Sequence, residues 1–174
     1  MRRRIDFFKE EHKTHSNNEV FGLCDDDNDL PAYIDEDLGN KDSKWIGEVH
    51  NDLKRVIAFY PVDHCVEIKR ADGKMAERCE GFLLYLEDRI IFAELKNRQL
   101  FPEAWRKKAE EQILVTMRYF FDNYDKDSYK IKAWICNKQL TNQNYFQQIL
   151  EFKDKTKAEF GKGYVLCIQK SINL

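Results

Sequence analysis

The feature that most limits the fold is a pair of apolar runs, Phe82-Leu83-Leu84-Tyr85-Leu86 and Ile90-Ile91-Phe92-Ala93, divided by the short polar stretch Glu87-Asp88-Arg89. Each run is about as long as an ordinary strand, and neither alternates polar with apolar residues, so both faces of the resulting hairpin must be covered. Such a hairpin belongs in the middle of a layered structure. Charge returns only where the runs end, at Glu80 before the first and at Glu94 and Lys96 after the second.

With a turn centred on Asp88, Phe82 is expected opposite Glu94 and Glu80 opposite Lys96, and the two-residue side-chain period keeps 80, 94 and 96 on one face. Two carboxylates and an ammonium then meet at the open end of the hairpin. Neighbouring carboxylates repel unless a cation lies between them, and oxygen ligands of this kind suit Mg2+ or Mn2+. Lys96 adds a flexible positive charge able to orient water and steady charge on a phosphoryl oxygen. The chemistry implied is metal-assisted phosphodiester cleavage. A plain hairpin with charged ends is the alternative reading of the same residues.

The flanking segments supply layers for such a hairpin. A strand is expected over 55–60, stopped by Pro61, and another over 65–70, closing at Asp72-Gly73. Behind Pro102, apolar residues at 105, 109, 113, 117, 120 and 121 make the clearest helix of the chain. A strand over 129–136, a helix capped by Thr141 and a last strand over 164–168 follow. This order predicts an α/β fold with a mixed β-sheet flanked by helices that cover its faces.

Several residues on these elements have roles to play if the site is real. Gln112, beside the apolar stripe of the long helix, must find a hydrogen-bond partner and is placed to support Lys96 or a water. Arg98, with Arg106, Lys107 and Lys108 in the first turns of that helix, forms a candidate phosphate-backbone contact, against the plainer reading of a solvated helix face. A rival acid-x-lysine sequence, Glu67-Ile68-Lys69 with Asp63 before it, lacks the intervening buried strand and reads as the polar face of an edge strand.

Charge is divided unevenly. Residues 1–52 hold 7 Lys/Arg against 14 Asp/Glu, and residues 53–174 hold 22 against 17, so the segments carry −7 and +5. The chain therefore reads as an acidic, partly irregular region over 1–52 and an α/β core over 53–174 that can face a polyanion. Arg2-Arg3-Arg4 with Ile5, Phe7 and Phe8 opens either a short amphipathic helix reaching about His15 or a basic tip. Asp25-Asp26-Asp27-Asn28-Asp29 lacks the glycine and terminal glutamate of a calcium loop and is read as solvated, within a long exposed connection over 16–43. Trp45, Ile46 and Val49 share one helical face over 44–52, from which Glu48 would reach the carboxylate pair as a further metal ligand or remain a surface glutamate.

No apolar run approaches the length needed to span a bilayer and no secretion signal is visible, so a soluble, cytoplasmic protein without membrane contact is expected. The five cysteines have no close pairs, four sit in apolar contexts, and they read as buried hydrophobes rather than zinc ligands or disulfides. Gly161-Lys162-Gly163 is a turn, since a phosphate-binding loop needs an upstream glycine and a following Ser or Thr.

Taken together, Cys79-Glu80-Gly81 entering a buried strand, Glu94-Leu95-Lys96 closing the next, and the following helix with Gln112 resemble the PD-(D/E)xK nuclease superfamily, also called restriction-endonuclease-like. The resemblance is best over residues 53–136. It implies that Glu80 stands at the first acidic position, Glu94 and Lys96 at the acid-x-lysine pair, Gln112 at the later glutamine and Glu48 at the helical acid. It further implies Mg2+ or Mn2+ as cofactor, nucleic acid, with DNA foremost, as substrate, and a homodimer as one assembly that cuts both strands. The chain departs from the pattern in using glutamate rather than aspartate at position 80, in having no proline before it, and in placing Thr116 where an aromatic residue often follows the glutamine. Two other readings are a nonenzymatic module that binds nucleic acid or protein, and an interaction protein whose acidic residues 25–52 contact a basic partner.

Overall fold

The computed structural model describes residues 4–26, 28–141 and 143–174; Arg2 and Arg3 of the basic tip and Asp27 of the acidic run lie outside the described residues. In chain order the elements are β1 (Thr14–Ser16), β2 (Val20–Cys24), β3 (Tyr33–Asp35), β4 (Gly47–His50), β5 (Ile57–Pro61), β6 (Gly81–Tyr85), β7 (Arg89–Lys96), α1 (Ala104–Phe121), β8 (Lys130–Asn137), α2 (Phe146–Phe160), β9 (Val165–Ile168) and β10 (Ser171–Asn173). They form a six-stranded sheet in the order β1-β5-β6-β7-β8-β9 and a four-stranded sheet in the order β10-β4-β2-β3. Strands β5, β6 and β7 run antiparallel, whereas β7–β8 and β8–β9 are parallel pairs, each joined through a helix as a parallel crossover requires.

The hairpin β6–β7 is the centre of the large sheet. On one face Phe82, Phe92, Ala133 and Ile135 pack with Ala109, Ile113, Met117 and Phe120 of α1 and Phe152 of α2. On the other, Leu83, Ile91, Ala93, Leu95 and Trp134 pack with Phe21, Leu23, Val49 and Ile172 of the small sheet. The absence of alternation in the hairpin therefore reflects cover on both sides. Each fully buried Phe, Leu or Ile contributes about 1.5–3 kcal/mol relative to exposure. The second cover is a β-sheet, so helices occupy only one face of the large sheet.

Most of that second sheet comes from the segment expected to be an exposed connection. Residues 16–43 contain β2 and β3, with Phe21 and Leu23 fully buried. The segment 44–52 contains strand β4 (Gly47–His50) and not a helix: Val49 is buried in the core and the alternate residues Glu48 and His50 are less covered. The acidic segment is thus part of the packed body and not a detachable arm. Among the described residues no helix forms over 4–15; instead Phe7 is buried against Phe120 and Tyr124, and the Ile5 and Phe7 amides donate to Asn123 Oδ1 and the Tyr124 hydroxyl.

Residues 65–70 do not form a strand either. The β5 edge they would extend is already paired with β1, and only an isolated bridge between Lys69 and Met75 remains, while Val66 and Ile68 still pack into the core. Helix α2 begins at Phe146, beyond Thr141, with the Asn144 side chain accepting from the Phe146 amide. Among the described residues, no helix is long and apolar enough to cross a membrane.

Candidate active site

The hairpin turn is centred one residue earlier than the sequence suggested. Tyr85 pairs with Arg89 around Leu86, Glu87 and Asp88, and Leu86 and Glu87 adopt left-handed backbone angles of φ 49° and 63°. Phe82 consequently faces Phe92 and Gly81 faces Ala93, a two-residue slip from the expected register. Because side chains repeat every two residues, the slip leaves the face unchanged. It carries Glu80 directly to Glu94 rather than to Lys96.

The contact is explicit. The Glu80 amide donates to Glu94 Oε2 at 3.1 Å, and Lys96 Nζ lies 2.5 Å from Glu94 Oε1. Glu94 has no solvent exposure, and its Oε1 has the Lys96 charge beside it without a well-directed hydrogen bond. The Glu80 carboxylate receives neither a hydrogen bond nor an ion pair from any described residue. Burial, the Glu94 charge, then Asp25 and Asp63 push its pKa up to about 9, against the opposing Lys96 charge. Burial also raises Glu94, to about 7, although Lys96 and the Glu80 amide pull it down. Glu80 rises further because Glu94 alone has an ammonium and a backbone donor on its oxygens.

Helix α1 holds both halves of this arrangement. Gln112 accepts from Lys96 Nζ at 2.7 Å and donates from its amide nitrogen to the Arg78 carbonyl at 3.0 Å. One turn later, the Thr116 hydroxyl accepts the Cys79 amide at 2.8 Å while donating to the Gln112 carbonyl at 2.8 Å. Residues 78 and 79 lead directly to Glu80, so the helix sets where that strand begins. Gly81 completes the fit: a Cβ there would stand 2.5 Å from Phe59 Cζ and from the Tyr60 carbonyl oxygen, so β5 and β6 approach this closely only without a side chain.

Not every expected residue reaches the pair. Glu48 lies in the small sheet, across the large sheet from the face that carries Glu94, and its oxygens bond Lys41 at 2.9 Å and His50 at 2.8 Å. The sheet itself separates it from the other carboxylates. Arg106 is engaged internally, bonded to Glu103 and Gln148 and lying over the Tyr145 ring. Arg98, Lys107 and Lys108 are exposed and have no acidic partner among the described residues. The rival pair Glu67 and Lys69 sits in an exposed loop, bonded to each other at 2.6 Å.

Four contributors escaped the sequence reading. Asp63 follows β5, where the Val62 and Asp63 amides donate to the Glu80 carbonyl at 2.8 and 3.3 Å, and its carboxylate takes two bonds from Arg78. Asp25, just past β2, carries its charge toward Glu80. Thr116 was visible only as a departure from a pattern, yet its spacing of four from Gln112 already places it on the same helical face. Buried Asn137, opposite Lys96, accepts the Arg98 amide at 3.2 Å and donates to the Arg98 carbonyl at 3.0 Å, fixing the chain as it leaves β7.

Glu80, whose carboxylate has no donor among the described residues, stands beside fully buried Glu94, which is held by Lys96 and the Glu80 amide, and carboxylate oxygens are the ligand type a hard divalent cation takes. No group of three or more His, Cys, Asp or Glu suited to a metal ion occurs among the described residues, so protein oxygens would fill only part of a shell and leave the rest to water and substrate. No protein-family model matches the chain, no curated protein matches its sequence, and no solved structure matches its fold.

Proposed function

We propose that the chain is a Mg2+- or Mn2+-dependent nuclease that hydrolyses phosphodiester bonds, with DNA the foremost substrate. The observation that carries this reading is the contact of the Glu80 amide with Glu94, whose charge acts on the Glu80 carboxylate, with Lys96 held between Glu94 and Gln112. The unit of three antiparallel strands, helix α1 and parallel β8 supports a restriction-endonuclease-like core, the fold in which this constellation would be at home.

Glu80 and Glu94 would hold the ion. When bound, such an ion supplies Lewis acidity toward a phosphoryl oxygen and makes water a competent nucleophile near neutral pH. Gln112 fixes the Lys96 ammonium, which is thereby placed to orient the attacking water and to offset negative charge as the phosphorus centre becomes more crowded. Gln112 also ties Lys96 to Arg78, two residues from Glu80, and so keeps the ammonium in register with both acids. Lys107, Lys108 and Arg98 would neutralise phosphates of the bound strand.

The test is a titration of the purified protein with Mg2+ and Mn2+ on defined single- and double-stranded DNA and RNA. Glu94→Gln and Lys96→Ala are each expected to lower turnover by about 10²–10⁴-fold with circular dichroism unchanged. Metal-dependent cleavage that persists in both variants would refute the assignment. The pair of carboxylates, rather than a larger cluster, also favours a second reading, a silent module that binds nucleic acid without turnover; salt-sensitive binding with no cleavage at any metal concentration would establish it.

A further inference from the structure

Beyond Lys96 the surface opens into a cleft of about 640 Å3 whose lining includes Lys96, Arg98, Phe101, Pro102, Trp105 and Lys108. Its volume lies within the range of small-ligand sites, and it shares Lys96 with the carboxylate pair. Its walls are built: Asn137 bonds both backbone groups of Arg98, and the Trp105 indole nitrogen donates to the Leu100 carbonyl at 3.2 Å. Phe101 leaves 64% of its surface exposed, so its ring is accessible from the cleft that Lys96, Arg98 and Lys108 also line. Arg98 and Lys108 have no acidic partner among the described residues, so the cleft is electrostatically ready for an anion.

An exposed aromatic ring among unpaired cations matches one class of ligand closely. Cations track a phosphate backbone while the ring offers a face to a base, and a base can offer its own face only when it is unpaired and unstacked. A duplex keeps those faces inside its stack. The lateral layout adds a second argument. Asp63 lies on the β5 side of Glu80 and Glu94, whereas the basic cleft lies on the side of β7 and α1. A duplex laid across the pair would bring phosphate against that acidic side as well, while a single strand entering along the cleft avoids it.

We infer that the cleft is a stacking subsite in which Phe101 receives an unpaired base and Arg98 and Lys108 hold the flanking phosphates, so that the substrate is single-stranded nucleic acid. This rests on the nuclease reading for its chemistry, but the binding can be measured apart from turnover. The assay is fluorescence anisotropy in EDTA with a labelled oligothymidylate of about 12 nucleotides, within the span of one binding module, and with a duplex of equal length.

The single strand is expected to bind at least about tenfold more tightly than the duplex. Phe101→Ala should weaken it by roughly 5- to 100-fold, and Phe101→Trp should restore it. Arg98→Ala combined with Lys108→Ala should reduce the salt slope by about 1.4, the value for two phosphates on a single strand. Equal or tighter binding of the duplex, or an unchanged affinity in Phe101→Ala with circular dichroism intact, overturns the inference. Preference for the single strand without cleavage in Mg2+ or Mn2+ supports the subsite and sinks the nuclease reading. Cleavage that ignores Phe101 does the reverse.

Discussion

Neutralising Glu80 while keeping its shape should stabilise the protein in the absence of divalent metal. Its carboxyl rises from 4.5 to about 9 because burial and the Glu94, Asp25 and Asp63 charges disfavour the ionised form. Between those two values the folded chain holds a proton that the unfolded chain has released. Folding stability therefore falls as the pH rises through that window, and it is least affected at or below pH 4.5. One full proton is equivalent to about 1.4 kcal/mol per pH unit, which sets a ceiling of about 5 kcal/mol at pH 8. Partial exposure of Glu80 and sharing of the proton with Glu94 reduce this to about 2 kcal/mol. In a chain of this size each kcal/mol moves the melting temperature by about 2–4 °C, so Glu80→Gln should melt about 4–8 °C above the wild type at pH 8 in EDTA. At pH 5 the gap should nearly vanish. Mg2+ should raise the wild-type melting temperature, by an amount equivalent to about 2.7 kcal/mol at a hundredfold excess over its dissociation constant, and should leave the variant unmoved. Calorimetry from pH 5 to 9 decides the matter: a variant that melts no higher than the wild type at pH 8, or a gap that does not widen with pH, refutes the reasoning.

Two further substitutions probe the scaffold. Thr116→Val preserves shape but leaves the buried Cys79 amide without an acceptor; a loss of about 1–3 kcal/mol is expected in urea denaturation, and a smaller loss would mean that the bond does not position β6. Gly81→Ala forces a methyl group against Phe59 and the Tyr60 carbonyl, and should cost about 1–3 kcal/mol in the same measurement, with no loss if β5 and β6 can separate freely.

The parts legible in the sequence were those dictated by local pattern. The period of α1 and the unbroken apolar runs of the hairpin announce themselves, and the two-residue period brought Glu80, Glu94 and Lys96 to one face despite the error in turn position. The small sheet was illegible for the opposite reason. Strands β3 and β10 are three residues long, and β10 pairs in parallel with β4, more than a hundred residues earlier in the chain, so no local signal joins them. The Cys65–Arg70 alternation misled because strand formation needs a free edge as well as a pattern, and β1 had taken it. Asp25 could not be linked to Glu80 without knowing that β2 ends above the large sheet, and Asn137 became informative only once β8 was set beside β7.

Gln112 and Thr116 have a mechanical consequence. They are one helical turn apart on the same element; the first grips the Lys96 ammonium and the Arg78 carbonyl, and the second grips the Cys79 amide. Lys96 and Glu94 share β7, and Glu94 also takes the Glu80 amide, so the helix, the start of β6 and the end of β7 are tied at one point by bonds from three elements. Displacing α1 alone would therefore have to break the Gln112 or Thr116 bonds, which makes the helix a brace that resists drift of the site and not a separately moving part.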